Sequence, residues 1–369
     1  LSNMNLATHK TKVIYSDNYL VALNDELANS KVLLVTSDSF KRRGIVKNVI
    51  EHCGDAHFIV FDKVTPNPEL TDLQHWINEL KSGSITQVVA LGGGSVIDTA
   101  KVMAYMLANL DVELKTSLQQ SSIAKTPSLP LIAIPTTSGT GSEVTPFATV
   151  WDSAAQKKFS LANVAPTVAI LDAHLTLSLP RQETLYPALD ALSHALESLW
   201  NKNRTVQSQE HAIQAIEGIC EALPQILENA QNLTARKTLQ QAATLAGLAI
   251  SHTKTAIAHA ISYPLTIKYG MPHGLACSFT LVAIMHELGY EKLNLSIDLV
   301  DTILELLVGL DLDKEIVKFI DWQTLVEQFD PNLDPSRADN FVIPINSDWL
   351  IGIINKSQQS KTIGELHEA

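Results

Sequence analysis

Val88-Val89-Ala90-Leu91-Gly92-Gly93-Gly94-Ser95-Val96-Ile97-Asp98 joins a short apolar run to three consecutive glycines and then to a helical pattern. An apolar, β-rich run closed by glycine predicts a buried strand over Val88–Leu91, and the pattern after Ser95 predicts a helix opening at Val96. Three residues without Cβ let the backbone bend tightly and let a ligand approach its N–H groups. The start of a helix adds partial positive charge, so the turn suits a pyrophosphate. It is neither the G-x-G-x-x-G fingerprint nor a Walker loop. On these residues alone, a structural glycine turn capped by Ser95 fits as well.

The same strand–helix alternation extends in both directions. Strand-like runs fall at Lys12–Tyr15, Val32–Thr36, Phe58–Phe61 and Leu131–Ile134, with helix-length segments such as Leu70–Lys81 and Val96–Ala108 between runs. That alternation predicts βαβ units around a mostly parallel sheet. Pro146–Trp151, Phe159–Leu161 and Val168–Leu171 then read as a hairpin and a returning strand. From about Leu179 the apolar spacing changes to three and four residues, as in Ala212, Ile213, Ile216, Ile219 and Cys220, so helices dominate the second half. The expected fold is an α/β, Rossmann-like domain over 1–178 and an all-helical domain over 179–369, divided near Ser178–Pro180. In such sheets ligands sit at the carboxyl ends of strands, and clefts between domains are the usual place for chemistry.

Composition narrows the partners. Hydrophobic residues make up 46% and charged residues 18% of the 369, with a formal net charge of −12, as in an ordinary globular protein. Such a surface repels a nucleic-acid duplex or an anionic membrane, so neither is expected as a partner. Cys53, Cys220 and Cys277 form no CxxC pair, which argues against a disulfide framework or zinc ribbon and fits a reducing compartment. Leu1–Lys12 lacks a signal-type apolar core, and no run approaches membrane-helix length. A cytoplasmic location is expected.

Two further motifs carry chemistry. Pro135-Thr136-Thr137-Ser138-Gly139-Thr140-Gly141-Ser142-Glu143-Val144-Thr145 leaves the end of the Leu131–Ile134 strand and offers many hydroxyl groups close to a backbone path. Two such loops at strand ends favour a dinucleotide site over two unrelated turns. In the helical half, Asp190 and His194 stand four apart, on one face of a helix. With His259 and His273 they supply one carboxylate and three imidazoles, a ligand set for Fe2+ or Zn2+ that leaves room for a substrate oxygen. Among twelve histidines one such pair also arises by chance, and the other nine have no such assignment. Cys277, four after His273, is left outside the ligand set. Glu197 is read as a solvated helix face, with a supporting role behind the ligands as the alternative.

Taken in order, these motifs resemble the iron-containing (group III) alcohol dehydrogenase family, over roughly Val13 to Leu281. The resemblance rests on Pro66-Asn67-Pro68, GGGSVIDTAK at Gly92–Lys101, PTTSGTGSEVT at Pro135–Thr145, DALSH at Asp190–His194, His259, and Pro272-His273-Gly274. It implies a cofactor domain, a helical domain and a metal ion in the cleft between them, with Asp190, His194, His259 and His273 as ligands. It also implies cofactor contacts from Gly93, Gly94, Ser95, Asp98, Asn67, Thr136, Thr137, Thr140 and Thr145, and from Lys158 at the ribose. The activity implied is hydride transfer between NAD(H) or NADP(H) and a small alcohol or aldehyde whose oxygen the ion polarises. A homodimer is expected. The His259–Leu281 segment also resembles phosphonoacetaldehyde reductases of the family.

Two positions depart from the family pattern. Where many members have Asp after the second strand, this chain has Ser37, followed by Asp38 and the basic Lys41, Arg42 and Arg43. Either the basic trio accommodates the 2′-phosphate of NADP(H), or Asp38 replaces the missing carboxylate. Tyr263 stands where many members have histidine, either as a proton donor or as a packed tyrosine. His252-Thr253-Lys254-Thr255 suits an anionic aldehyde, or is an ordinary helix start with Lys254 in water. A dehydroquinate-synthase-like lyase that recycles its NAD, and a non-catalytic metal- or nucleotide-binding protein, are the rival functions. The segment after Leu281 offers helices but no nameable chemistry.

Overall fold

The computed structural model describes residues 11–27, 31–120, 126–155 and 157–359; His9, His367 and most of Leu1–Lys12 lie outside them. The chain folds as two compact units, Leu1–Thr137 with Ser142–Ser178, and Ser138–Gly141 with Leu179–Ala369.

The first unit is built on β1 (Lys12–Tyr15), β2 (Lys31–Val35), β3 (His57–Phe61), β4 (Gln87–Gly92), β5 (Leu131–Pro135) and β8 (Val168–Leu171). They form a six-stranded sheet in the order β1-β8-β5-β4-β2-β3, every neighbouring pair parallel. β2, β4 and β5 are apolar almost throughout because both faces are covered. Leu33, Val35, Val88, Ala90, Leu131 and Ala133 enter one core. Their neighbours Val32, Leu34, Val89, Leu91, Ile132 and Ile134 enter the core on the opposite face. A period of two therefore divides each strand between two hydrophobic layers. β6 (Phe147–Asp152) and β7 (Lys157–Ala162) form a separate antiparallel hairpin.

After β3 the chain returns to the other side of β2 to make β4, so the winding reverses between β2 and β4. The carboxyl ends at such a switch point are where doubly wound sheets bind ligands. Thr36 ties these two ends together by donating its hydroxyl to the Leu91 carbonyl at 2.8 Å. Ser37 leaves one end and Gly93–Ser95 the other.

The helical unit packs Arg181–Leu199, Val206–Glu228 and Leu233–Thr253 around a single large apolar core, joined by Ile257–Tyr269, the short turn His273–Ala276 and Leu281–Leu293. Ser138–Gly141 groups with it because its glycines admit close approach. A Cβ on Gly139 would lie 2.4 Å from Pro187 Cβ, and one on Gly141, whose φ is +63°, would lie 2.5 Å from Gly247 Cα. His252–Thr253 end a helix rather than start one, and Lys254 caps that end exposed, at φ 61°. No helix among the described residues is long and apolar enough to cross a membrane.

Candidate functional site

Asp190 and His194 project from one face of the Arg181–Leu199 helix, a segment buried almost without interruption from Ala188 onward. His259 comes from the first turn of Ile257–Tyr269, and His273 opens the turn that follows it. The three imidazoles converge on Oδ1 of Asp190. The Nε2 atoms of His259, His194 and His273 lie 3.1, 3.3 and 3.6 Å from it. Cys277 joins them, with Sγ 3.5 Å from the same oxygen. The donor atoms of Asp190, His259, His273 and Cys277 lie within 4.8 Å of one another. Cys277, outside the expected ligand set, lies against the cluster because the helical turn after His273 carries it back toward Asp190.

One carboxylate oxygen has two lone pairs and cannot satisfy four donors at once. Oxygen and nitrogen ligands about 2.0–2.2 Å from a common tetrahedral ion stand roughly 3.3 Å apart. The cluster fits a divalent cation on that geometry and on the chemistry of its donors. Asp190, His194 and His259 are 5%, 7% and 2% exposed at the side chain, whereas His273 is 38% exposed, so the cluster opens on the His273 side.

Glu197 is fully buried, which corrects its reading as a solvated helix face. One carboxylate oxygen accepts from the backbone N–H groups of Ala258 and His259, and the other lies 2.6 Å from His259 Nδ1. Glu197 therefore fixes the ring so that Nε2 faces Asp190, the usual arrangement behind a metal-ligating histidine. The spacing from His194 puts Glu197 on the right helix, but only the tertiary contact with His259 brings it inside.

In the first unit the helix after β4 begins at Gly94, two residues earlier than expected, with Gly93 as N-cap and no side-chain cap. Ser95 therefore does not cap it. Glycines at Gly93 and Gly94 start the helix without covering its first N–H groups. Asp98 faces inward to the protein. Its Oδ1 accepts from Ser142 Oγ at 2.5 Å and its Oδ2 from the Thr149 N–H at 2.9 Å. Lys101, fully buried, donates to Ser142 Oγ (2.8 Å), Thr145 Oγ1 (3.2 Å) and the Phe147 carbonyl (2.6 Å). Burial lowers the Lys101 ammonium to about 8, against the opposing pull of Asp98 and Glu143. These two residues clasp the threonine-rich loop to the helix that follows the glycine turn, and spacing gave no sign of Lys101.

Thr136 is buried at the end of β5, while Thr137 is half-buried beside the Gly93 position. Thr140 falls in the segment that groups with the helical unit. Asn67 is exposed at a positive φ of 58°, and Lys158 lies over the Trp151 ring at 5.3 Å on the hairpin. Ser37 caps the helix Asp38–Arg42, and its hydroxyl accepts from the Phe40 N–H at 3.4 Å.

The sequence matches the family model for iron-containing alcohol dehydrogenases over residues 10–173 and the family's C-terminal model over 184–305. The NAD-dependent methanol dehydrogenase of Bacillus methanolicus is 32% identical over 270 residues, 70% of either chain. The chain belongs to the iron-containing alcohol dehydrogenase family. Phosphonoacetaldehyde reductase of Streptomyces viridochromogenes is 39% identical over 52% of this chain and 51% of its own length, so that match spans about half of the relative. A crystal structure of sulfoacetaldehyde reductase from Bifidobacterium kashiwanohense in complex with NAD+ superposes with a TM-score of 0.83 at 26% identity, covering 95% of this chain and 98% of the other.

In this member of the iron-containing alcohol dehydrogenase family the buried cluster keeps its carboxylate charged and one of its imidazoles neutral. Burial alone would raise the Asp190 carboxyl, but His194, His273 and His259 together hold it well below the usual range. Burial lowers His194 to about 4 from an ordinary 6.5, with Asp190 opposing the shift. Its folded value lies below its unfolded one. The stability it contributes is therefore full above about pH 6.5 and disappears as pH falls through 4. In chelator-treated protein, urea unfolding of wild type is expected to lose on the order of 2 kcal/mol relative to His194→Gln over that window. Parallel pH profiles for the two proteins would contradict the assignment of a neutral, buried His194.

Proposed function

We propose that this chain is a metal-dependent, NAD(P)(H)-linked alcohol dehydrogenase that works on small aldehydes: RCHO + NAD(P)H + H+ gives RCH2OH + NAD(P)+. The observation that carries the reading is the convergence of His194, His259 and His273 on one carboxylate oxygen of Asp190 within a family of dehydrogenases. These four side chains would hold Fe2+ or Zn2+. When bound, such an ion supplies Lewis-acid polarisation of a carbonyl oxygen.

The chain's own residues do the rest. Glu197 keeps His259 oriented. Gly93, Gly94 and Ser95 present uncapped N–H groups for the cofactor pyrophosphate. Asp98 and Lys101 act on the cofactor by fixing the loop that carries Thr136, Thr137, Thr140 and Thr145, while Asn67 and Lys158 complete the contacts. Tyr263 stacks on His273, with ring centroids 6.0 Å apart and planes 7° from parallel. Burial raises its phenol well above the ordinary value, Arg337 opposing, so it keeps its proton at neutral pH. In this reading Tyr263 donates the proton that aldehyde reduction consumes.

At the adenosine end Lys41 pairs with Asp62 at 2.6 Å and Arg42 with Asp38 at 2.8 Å. These pairs favour NADH over NADPH, since two of the three basic residues already have a carboxylate and Asp38 stands beside Ser37. The three free cysteines are buried and fit a cytoplasmic setting.

An aldehyde panel with NADH and NADPH, in the presence of Zn2+ or of Fe2+ under anaerobic conditions, tests the reading through loss of reduced-nicotinamide absorbance. Net oxidation of NADH by a small aldehyde, abolished by chelator, is expected. Metal-independent turnover, or none with any aldehyde, would overturn it.

A further inference from the structure

Arg337 lies in the part of the chain where the sequence offered no chemistry, yet the fold brings it over Tyr263, whose ring stacks on His273. It sits in the short helix Pro335–Ala338, which Asp334 caps by accepting from the Ser336 N–H at 2.9 Å. Asn340 anchors that helix by donating to the carbonyls of Thr255 (2.9 Å) and Ser336 (3.0 Å). From there the guanidinium reaches over the Tyr263 ring, 4.9 Å from its centroid, and donates from Nη1 to Thr255 Oγ1 at 2.6 Å. Tyr263 in turn stacks on His273, the most exposed member of the cluster, so one aromatic ring links the guanidinium to the open side.

Two features of this arginine are unaccounted for by the fold. Its Nε–H is buried without a hydrogen-bond partner, and no carboxylate pairs with it among the described residues. A partly desolvated guanidinium with donors to spare is costly unless an anion completes it. A planar fork of donors matches the oxygens of phosphonate, sulfonate or carboxylate groups. Lys254, the other cation considered for this role, stands exposed at a helix end.

We propose that Arg337 is a specificity-determining residue that binds an anionic group carried on a short-chain aldehyde. The substrate class is an acetaldehyde bearing a negatively charged substituent, and the inference rests on the aldehyde-reductase reading above. In a protein of net charge −12, one local cation beside the reaction centre is what admits such a substrate.

The test compares wild type, Arg337→Met, Arg337→Lys and Lys254→Ala with phosphonoacetaldehyde, sulfoacetaldehyde and propanal. Calorimetric binding of 2-hydroxyethylphosphonate provides a readout free of turnover. Wild type is expected to favour an anionic aldehyde. In Arg337→Met the ratio of kcat/KM for the anionic over the neutral aldehyde should fall roughly 10- to 100-fold, mostly through KM, and binding of the phosphonate should weaken by a similar factor. Arg337→Lys should recover part of the loss, and it keeps the test decisive if the methionine variant fails to fold. The two anionic substrates decide between phosphonate and sulfonate. An unchanged ratio in both Arg337 variants, or the same loss in Lys254→Ala, would overturn the proposal. If wild type reduces no aldehyde at all, the function is wrong, and phosphonate binding that depends on Arg337 still decides this inference.

Discussion

Asp190→Ala is expected to lose its bound ion and to lower kcat/KM by about a thousandfold or more. Asp190 is the only anionic member among the four expected ligands, and its Oδ1 is the point on which His259, His194 and His273 converge at 3.1, 3.3 and 3.6 Å. Alanine leaves three imidazoles without the charge that draws a cation into a buried site. Asp190→Asn keeps nearly the same shape and removes only that charge, so it should lose metal almost as completely. The stability cost should appear mainly in metal-loaded protein, because an ion that binds only the folded state stabilises it by mass action. Metal content, kcat/KM and the thermal midpoint with and without chelator are the measurements. An Asp190→Ala protein that retains its ion and its rate would remove Asp190 from the mechanism.

Gly274→Ala is expected to destabilise the fold by about 3 kcal/mol, roughly a 10 °C fall in Tm, and to displace His273 from the cluster. A Cβ at Gly274 would lie 1.8 Å from the Tyr186 carbonyl oxygen and 2.5 Å from its carbon. The obstacle is backbone, so it cannot rotate aside as a side chain would. Tyr186 lies one turn before Asp190 on the same helix, and Gly274 directly follows His273. The missing side chain at Gly274 therefore sets how closely the His273 turn approaches the helix that carries Asp190 and His194. Activity should fall with metal affinity, and added metal should restore it in part. Wild-type Tm and metal affinity in Gly274→Ala would mean that the two segments are less tightly coupled.

The sheet was legible because its central strands are buried on both faces and so appear as uninterrupted apolar runs, as in Val88–Leu91 and Leu131–Ile134. Asp190 and His194 were legible because helical spacing alone puts them on one face. His259 and His273 were not: no local period links them to Asp190, and only the ordered motifs of the family do. Glu197 was read as solvated because a charged residue on a helix usually is, and its partner His259 lies far along the chain. The place of Arg337 was hidden for the same reason. Nothing in Asp334-Pro335-Ser336-Arg337 signals a ring contact with Tyr263, which forms only once the helices have packed. The early helix start at Gly94 was hidden by the low helix propensity of glycine, overridden here by packing against the sheet.

X-ray absorption at the metal edge of anaerobically purified protein is the most direct measurement of the proposed centre. The expected result is one divalent ion per chain, surrounded by oxygen and nitrogen donors alone at about 2.0–2.2 Å, with the outer-shell scattering of three imidazoles. A sulfur donor near 2.3 Å would place Cys277 in the shell in place of a histidine. That result, or the absence of any ion at the Asp190 cluster, would contradict the assignment on which the proposed reaction depends.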